Sequence, residues 1–324
     1  MGEKNDAMLK YLEDDHRFAD LLNGAVFGGV QVIDPKQIEN VSGNYTETEE
    51  GGKDIRYRSR SRDVIRRMKD SGTILRLVAL EAQETVDYSM PLRCMNYDAQ
   101  EYFRQLRVIQ RENGREGNYQ NASERLSGLH RTDRLIPVYT VCLYHGIQPW
   151  DGPLALSDMM RFEKDDAFRK LFRDYPMLLI RADEQMDYGA FRTPLKELLA
   201  VLPFRKDRKE MREYIRKKEE YKRLDRDTLE AIAVMTDHRK LLEKAEMYQN
   251  EEGSYDMHEE MDSFFMDGVE EGREDGIRAL ILDNLELGGS REQILRKLEK
   301  YFGLTGEKAE GYLERYSREE GCMV

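Results

Sequence analysis

The hydrophobic pattern in the first 200 residues predicts a sheet built from short strands. A hairpin comes first, because turn residues at 69–72 separate Val64-Ile65 from the apolar run 74–80. Further apolar runs at 135–143 and 176–182 have the length and composition of buried strands. We therefore expect a sheet in the middle of this region.

Helical spacing of apolar residues is found on either side of these strands. It predicts one helix over 5–23, a second from Pro91 to about Arg111, and a third over 193–202. Helices and strands in this order favour an α/β (α+β) fold with a central mixed sheet flanked by helices. Residues 1–204 are expected to form this domain.

The remaining chain is helical in composition. Residues 205–250 predict a charged helical arm or a cap, and residues 251–324 predict an acidic, all-helical C-terminal extension. Within the latter, Gly268, Gly272 and Gly276 recur every four residues. Glycine costs a helix roughly 1 kcal/mol relative to alanine. Close helix packing should offset that cost, so we expect a homo-oligomer formed through the C-terminal helices.

Charge is distributed unevenly along the chain. The formal net charge is -12, but residues 251–324 hold 20 acidic and 9 basic residues and carry almost all of the excess. Residues 54–69 hold seven basic and two acidic residues. Such a local basic strip can hold phosphate groups, so the net acidity does not exclude nucleic acid. A solvated charged strand is the alternative interpretation.

Composition excludes several other classes. No apolar run approaches the roughly 18 residues of a membrane span, and the polar start has no apolar export signal. The cysteines Cys94, Cys142 and Cys322 are far apart and odd in number, which predicts neither a disulfide framework nor a metal cluster. We expect a cytoplasmic protein with no membrane partner.

Two acids and an amide are predicted to converge on the hairpin. Asp63 and Glu81 are equidistant from Gly72, and opposite residues of antiparallel strands have Cβ atoms roughly 4.5–5.5 Å apart. Gln83 shares the face of Glu81 because strand side chains alternate. Facing carboxylates can hold Mg²⁺, which activates water against a phosphodiester. An incidental acid pair on a structural hairpin is the alternative.

The pattern Asp63…Glu81-Ala82-Gln83 resembles that of PD-(D/E)XK nucleases. Within that superfamily the chain resembles the Rpn family of recombination-promoting nucleases, also called YhgA-like putative transposases. Gln83 stands where the broad superfamily has Lys, and glutamine is the familiar variant in the Rpn-like branch. Three segments carry the resemblance: FADLLNGAVFGG (18–29), MPLRCMNYDAQEY (90–102) and YHGIQPWDGP (144–153).

The resemblance implies a PD-(D/E)XK restriction-endonuclease-like core and a metal-dependent DNA endonuclease. Asp63 and Glu81 would bind Mg²⁺ or Mn²⁺, and Gln83 would position water or the scissile phosphate. Recombination, mobile elements and phage defence are the implied settings.

Further residues are candidates for the same site. The DNA backbone is expected to contact the strip that includes Arg58, Arg60 and Arg62. On the second helix, Arg93, Tyr97 and Gln100 share a polar face, where Arg93 and Gln100 either touch phosphate or form structural contacts. The remaining candidates are Asp20 and Asn23 on the first helix and His145 after a strand, for which a structural role is preferred over a catalytic base.

Two other hypotheses stay open. The same scaffold could bind DNA or protein without catalysis, with Gln83 as a sign of lost chemistry. An RNase H-like transposase would need a third acid beside Asp63 and Glu81, and the sequence offers no clear one.

Overall fold

The computed structural model describes residues 2–41, 64–70, 73–165, 167–183, 186–243 and 245–319. Their fold is α+β, with a five-stranded mixed sheet flanked by helices. The strands lie in the sheet in chain order: β1 (Ile38–Val41), β2 (Val64–Asp70), β3 (Thr73–Gln83), β4 (Val138–Tyr144) and β5 (Leu178–Arg181).

The hairpin of β2 and β3 is the centre of the sheet. It is antiparallel, with Val64 opposite Leu80, which is the register predicted from the sequence. β1 adds an antiparallel edge, whereas β4 and β5 run parallel to β3. The carboxyl ends of β3, β4 and β5 therefore meet at one edge of the sheet.

Eleven α-helices are assigned to the described residues. Those before residue 205 are α1 (Glu3–Tyr11), α2 (Asp15–Ala25), α3 (Met90–Glu116), α4 (Ala122–Ser127) and α5 (Leu195–Val201). Those after it are α6 (Arg208–Arg216), α7 (Arg226–Met235), α8 (Lys240–Glu243), α9 (Met257–Glu286), α10 (Arg291–Phe302) and α11 (Gly306–Glu319). None of the helices in this part of the chain is long and apolar enough to cross a membrane.

The two faces of the sheet are covered differently. Leu80 and Ala82 of β3 point into the main hydrophobic core, which includes residues of α1, α2, α5 and α7. Residues of the opposite face, such as Cys142, pack beneath α3 in a smaller cluster with Cys94. Glu81 lies between Leu80 and Ala82 in sequence and therefore faces α3.

The segment 205–250 packs on the domain as a cap. Met211 and Ile215 of α6 and Leu229 and Ile232 of α7 are buried in the main core. The N-terminal end of α9 joins that core, while its C-terminal end forms a separate cluster with α10 and α11. Helix α9 thus connects two hydrophobic cores.

Two segments differ from the sequence prediction. The expected helix 5–23 is two helices, because Asp14 caps α2 by accepting a hydrogen bond from the Arg17 backbone N–H at 2.9 Å. Strand β1 has no counterpart among the strands predicted from the sequence, and it directly follows a 3₁₀ turn at Pro35–Gln37. A four-residue edge strand carries too little periodicity to be recognised.

Candidate functional site

Glu81 is a charged residue buried at the carboxyl end of the central strand. Its side chain is 1% exposed, because β3 has neighbours on both sides and α3 covers this face. Burying a carboxylate is costly unless it is paired with a cation and hydrogen-bonded. The structure supplies that partner from the first turn of α3.

Arg93 bridges two carboxylates. One guanidinium nitrogen, Nη2, lies 3.3 Å from Oε2 of Glu81, and Nη1 donates to Oδ2 of Asp87 at 2.5 Å. The Arg93 side chain is 22% exposed, so it reaches from the buried Glu81 towards solvent. Its guanidinium also lies 5.9 Å from the ring centre of Tyr97. The sequence left open whether Arg93 touches phosphate or forms structural contacts, and the structure shows it in an ion-pair network.

Asp87 is a site residue that the sequence analysis missed. It accepts hydrogen bonds from the backbone N–H of Ser89 at 2.8 Å and from its hydroxyl at 2.6 Å. Burial would raise the pKa of Asp87, but the bonds from Ser89 and Arg93 outweigh that effect and leave the pKa below its ordinary value. The signal in the sequence was the Asp-x-Ser turn immediately before the helix-opening Pro91.

The Cys142 thiol and the Arg93 guanidinium, which lie near Glu81, do not change protonation state near neutral pH. Burial, followed by the nearness of Cys94 and Glu81, raises the pKa of the Cys142 thiol well above its ordinary value. Burial acts to lower the pKa of Arg93, but its bonds to Tyr97 and Asp87 raise it overall. The thiol therefore stays protonated and the guanidinium stays charged at neutral pH.

Asp63, the predicted partner of Glu81, lies outside the described residues, as do Arg58, Arg60 and Arg62. Gln83 is described, is partly buried and shares the face of Glu81 by alternation along β3. Its backbone carbonyl accepts a hydrogen bond from the N–H of His145 at 3.0 Å.

The predicted polar face of α3 divides in the structure. Tyr97 is buried beneath the helix, whereas Gln100 is exposed and lies about two turns beyond Arg93. Asp98, next to Tyr97, accepts hydrogen bonds from the hydroxyls of Thr140 and Tyr175. These contacts anchor α3 to the sheet and so fix the position of the Arg93 backbone.

One arginine of the predicted basic strip is structural. Arg66 is 4% exposed, and its Nη2 donates to the backbone carbonyl of Glu13 at 2.7 Å. Its Nε lies 3.3 Å from Oδ1 of Asp15. Arg66 therefore ties β2 to the turn between α1 and α2, which removes it from the strip that could hold a DNA backbone.

The two candidates on the first helices are held by backbone groups. Asp20 accepts hydrogen bonds from the N–H groups of Arg192 and Thr193 and from the Thr193 hydroxyl, at 2.6–3.0 Å. Asn23 bonds the backbone of Val32 and Ile33. Both side chains fix loops against α2, which packs on the face of the sheet opposite Glu81.

His145 has a structural environment. It is fully buried, its Nε2 lies 2.9 Å from Oδ1 of Asn5, and its backbone carbonyl accepts a bond from Arg205 at 2.7 Å. Burial, and then the charge of Arg205, lower the pKa of His145 to about 3. The imidazole is therefore neutral at physiological pH and sits on the α1 side of the sheet.

The donor chemistry at Glu81 suits a hard cation, but the donor set is small. Mg²⁺ takes oxygen ligands and is bound by one or two protein carboxylates with water and phosphate. Glu81 and Asp87 supply two carboxylates joined by Arg93. Within the described ranges, no cluster of three or more His, Cys, Asp or Glu residues could hold a metal ion.

No protein-family model, curated protein or solved structure matches this chain.

Proposed function

We propose that this protein is a metal-dependent DNA endonuclease of the Rpn-like PD-(D/E)XK type, acting in recombination, mobile-element biology or phage defence. The observation that carries the proposal is the register of β2 and β3. Val64 lies opposite Leu80. In the sequence, Asp63 directly precedes Val64 and Glu81 directly follows Leu80. The mixed sheet flanked by helices is compatible with this proposal.

In this proposal Asp63 and Glu81 hold the divalent ion, Mg²⁺ or Mn²⁺. The bound ion supplies the charge that lowers the pKa of a water molecule and stabilises the phosphate. Gln83, on the face of Glu81, orients the water or the scissile phosphate through its amide. Arg58, Arg60 and Arg62 hold the DNA backbone.

Arg93 has two tasks in the proposed mechanism. It supplies the counter-charge for the buried Glu81 carboxylate, which would otherwise be too costly to ionise. If Glu81 held a divalent cation, Arg93 would keep its bond to Asp87 and would have a guanidinium edge available for phosphate, which arginine can bind in a bidentate manner.

A plasmid-nicking assay tests the proposal. Purified protein with Mg²⁺ or Mn²⁺ should relax supercoiled plasmid, and Asp63→Ala and Glu81→Gln should each abolish the activity. Glu252→Gln is the matched control, since it removes an exposed carboxylate from the acidic tail. If the unsubstituted protein is as inactive as Asp63→Ala over a range of metals, catalysis must be abandoned.

A non-catalytic DNA-binding or protein-interaction module is the second candidate. The Arg93–Glu81 ion pair favours it, because the guanidinium occupies the carboxylate that the cation needs. The neutral amide of Gln83 favours it as well. Salt-dependent DNA binding that is unaffected by metal, without nicking, would establish this function instead.

We also propose that the chain self-associates through α9. In the part of the chain that the structure describes, no neighbouring atom lies within 4 Å of a Cβ added at Gly268 or Gly272, and Met266 and Val269 beside them are 61% and 51% exposed. A smooth, partly apolar helix surface of this kind allows close approach of a second copy.

A further inference from the structure

A second basic region lies far from Glu81 along the chain. Residues 102–134 contain seven arginines, no lysine and four acidic residues, a net charge of +3 in a chain of -12. Six of the arginines are exposed and form what we call the arginine surface: Arg107, Arg111, Arg115, Arg125, Arg131 and Arg134. Such a concentration of positive charge is unusual in a chain whose net charge is -12.

The acidic residues of this region do not neutralise the surface equally. Glu124 is 8% exposed and accepts bonds from the backbone N–H groups of Gln120 at 2.8 Å and Arg131 at 3.2 Å. Asp133 accepts from Asn113 at 2.7 Å and from the N–H of His130 at 2.8 Å. Two of the four carboxylates thus organise the loop, and the exposed acids are Glu112 and Glu116 alone within this fully described segment.

The region is a defined structure. Gln110 of α3 donates to the carbonyl of Ser127 at 2.8 Å, and Asn113 donates to the carbonyl of Gly128 at 3.1 Å. Helix α4 and its loop are therefore fastened to the last turns of α3. The arginines of both segments are held on one supported unit.

Spacing along α3 fits a repeating anion. Arg107, Arg111 and Arg115 are four residues apart, so they form one stripe with steps of about 6 Å along the helix. Arg111, Arg115 and Arg125 have no ion-pair partner among the described residues.

We infer that the arginine surface binds the phosphate backbone of nucleic acid. The inference deepens the proposed function, on which it rests for the choice of DNA, by assigning a second contact outside the cleavage site. Arginine suits this ligand because its planar guanidinium binds phosphate oxygens in pairs. Arg93 and Arg111 are 18 residues apart on α3, or about 27 Å, and DNA needs roughly 8 base pairs to span that length.

Fluorescence anisotropy with a 20-base-pair DNA duplex, in EDTA and 50–200 mM salt, tests the inference. Arg111→Gln/Arg115→Gln/Arg125→Gln should weaken binding at least about tenfold at 50 mM salt and lower the salt slope by about 2–3, since each lost phosphate contact removes about 0.9. The control Arg296→Gln/Lys300→Gln/Lys308→Gln removes the same exposed charge from α10 and α11. It should bind as the unsubstituted protein does.

Two results would overturn the inference: equal DNA binding by the triple variant and the unsubstituted protein, or tighter variant-sensitive binding of polyglutamate than of DNA. Unfolding midpoints of both variants check that they are folded. The assay contains no metal, so its outcome is independent of catalysis. A protein that nicks plasmid while the triple variant keeps full affinity would retain the proposed function and lose only this surface.

Discussion

At the scale of single residues, the site depends on a buried carboxylate whose charge is balanced by an arginine. Glu81 is 1% exposed, and Arg93 provides its counter-charge across 3.3 Å. Asp87 orients Arg93 from the other side at 2.5 Å. The carboxylate is thereby paired with a cation and held in place at the end of β3.

Replacing Arg93 should show how much free energy of unfolding depends on its pairing with the buried Glu81. Arg93→Ala is expected to lower the free energy of unfolding by about 3 kcal/mol, because a buried charge loses its partner. Arg93→Ala/Glu81→Gln should recover much of the loss, since no buried charge then remains. Urea unfolding measures both, and a loss below about 0.5 kcal/mol in the single variant would contradict the ion pair.

Gly146 has a steric role in the Tyr-His-Gly segment. A Cβ there would lie 2.4 Å from the backbone carbonyl oxygen of Glu84 and 2.3 Å from the Tyr144 ring. Gly146→Ala should therefore cost about 2–3 kcal/mol in the free energy of unfolding, because the backbone must shift. Gly311→Ala is the control and should be neutral or stabilising, because no neighbouring atom of the described residues lies within 4 Å of the added Cβ. Similar losses in both variants would exclude the steric explanation.

At the scale of elements, the most predictable part was the β2–β3 hairpin. The apolar run 74–80 and the turn residues at 69–72 predict the pairing of Val64 with Leu80, and the structure has it. The tip of the hairpin was not predicted, because Asp70 pairs with Thr73 and an irregularity between Met68 and Lys69 shifts the register by one residue. The Arg93–Glu81 contact could not be predicted, because it depends on how α3 docks through Asp98 and Thr140. Nor could the role of Asp20, whose partners lie 172 and 173 residues away.

Substitutions of the exposed glycines on α9 test the proposed self-association. Gly268→Leu/Gly272→Leu should raise the thermal midpoint, since leucine is a better helix former and, among the described residues, no neighbouring atom lies within 4 Å of a Cβ at either position. The same change should weaken association in sedimentation velocity by blocking the second helix. Gly311→Leu on α11 is the matched control. A protein that is monomeric at every concentration would refute the proposed contact.

A buried carboxyl group on α9, that of Glu260, should make the stability of the protein depend on pH. Glu260 is 2% exposed, neither of its oxygens has a hydrogen-bond partner among the residues described, and burial raises its pKa from 4.5 to about 7. The unfolded chain releases this proton at lower pH, so stability falls as the pH rises from about 4.5 to about 7 and the loss is complete above pH 7.

Glu260→Gln isolates this effect. The variant should be more stable than the unsubstituted protein at pH 8, by up to about 3 kcal/mol, and the difference should shrink towards pH 4.5. Urea unfolding at several pH values measures it. A difference that does not change with pH would show that Glu260 is not the titrating group.

At the scale of the whole molecule, opposite charges are segregated. The acidic excess lies in residues 251–324, whereas the arginine surface lies on α3, α4 and the loop that follows. Composition alone gives the acidic excess, whereas the arginine surface is recognised only from the structure, because the sequence does not reveal that Glu124 and Asp133 turn inward. Nucleic-acid binding by an acidic protein becomes reasonable once this segregation is known.

The most direct measurement is the position of a bound divalent ion. In a crystal soaked with Mn²⁺, an anomalous peak should lie about 2.0–2.2 Å from a carboxylate oxygen of Glu81, within the usual range for a small divalent ion, and next to Asp63. Glu81→Gln should lose the peak. A soaked crystal in which Arg93 still pairs with Glu81 and no manganese lies beside that carboxylate would contradict the proposed nuclease site.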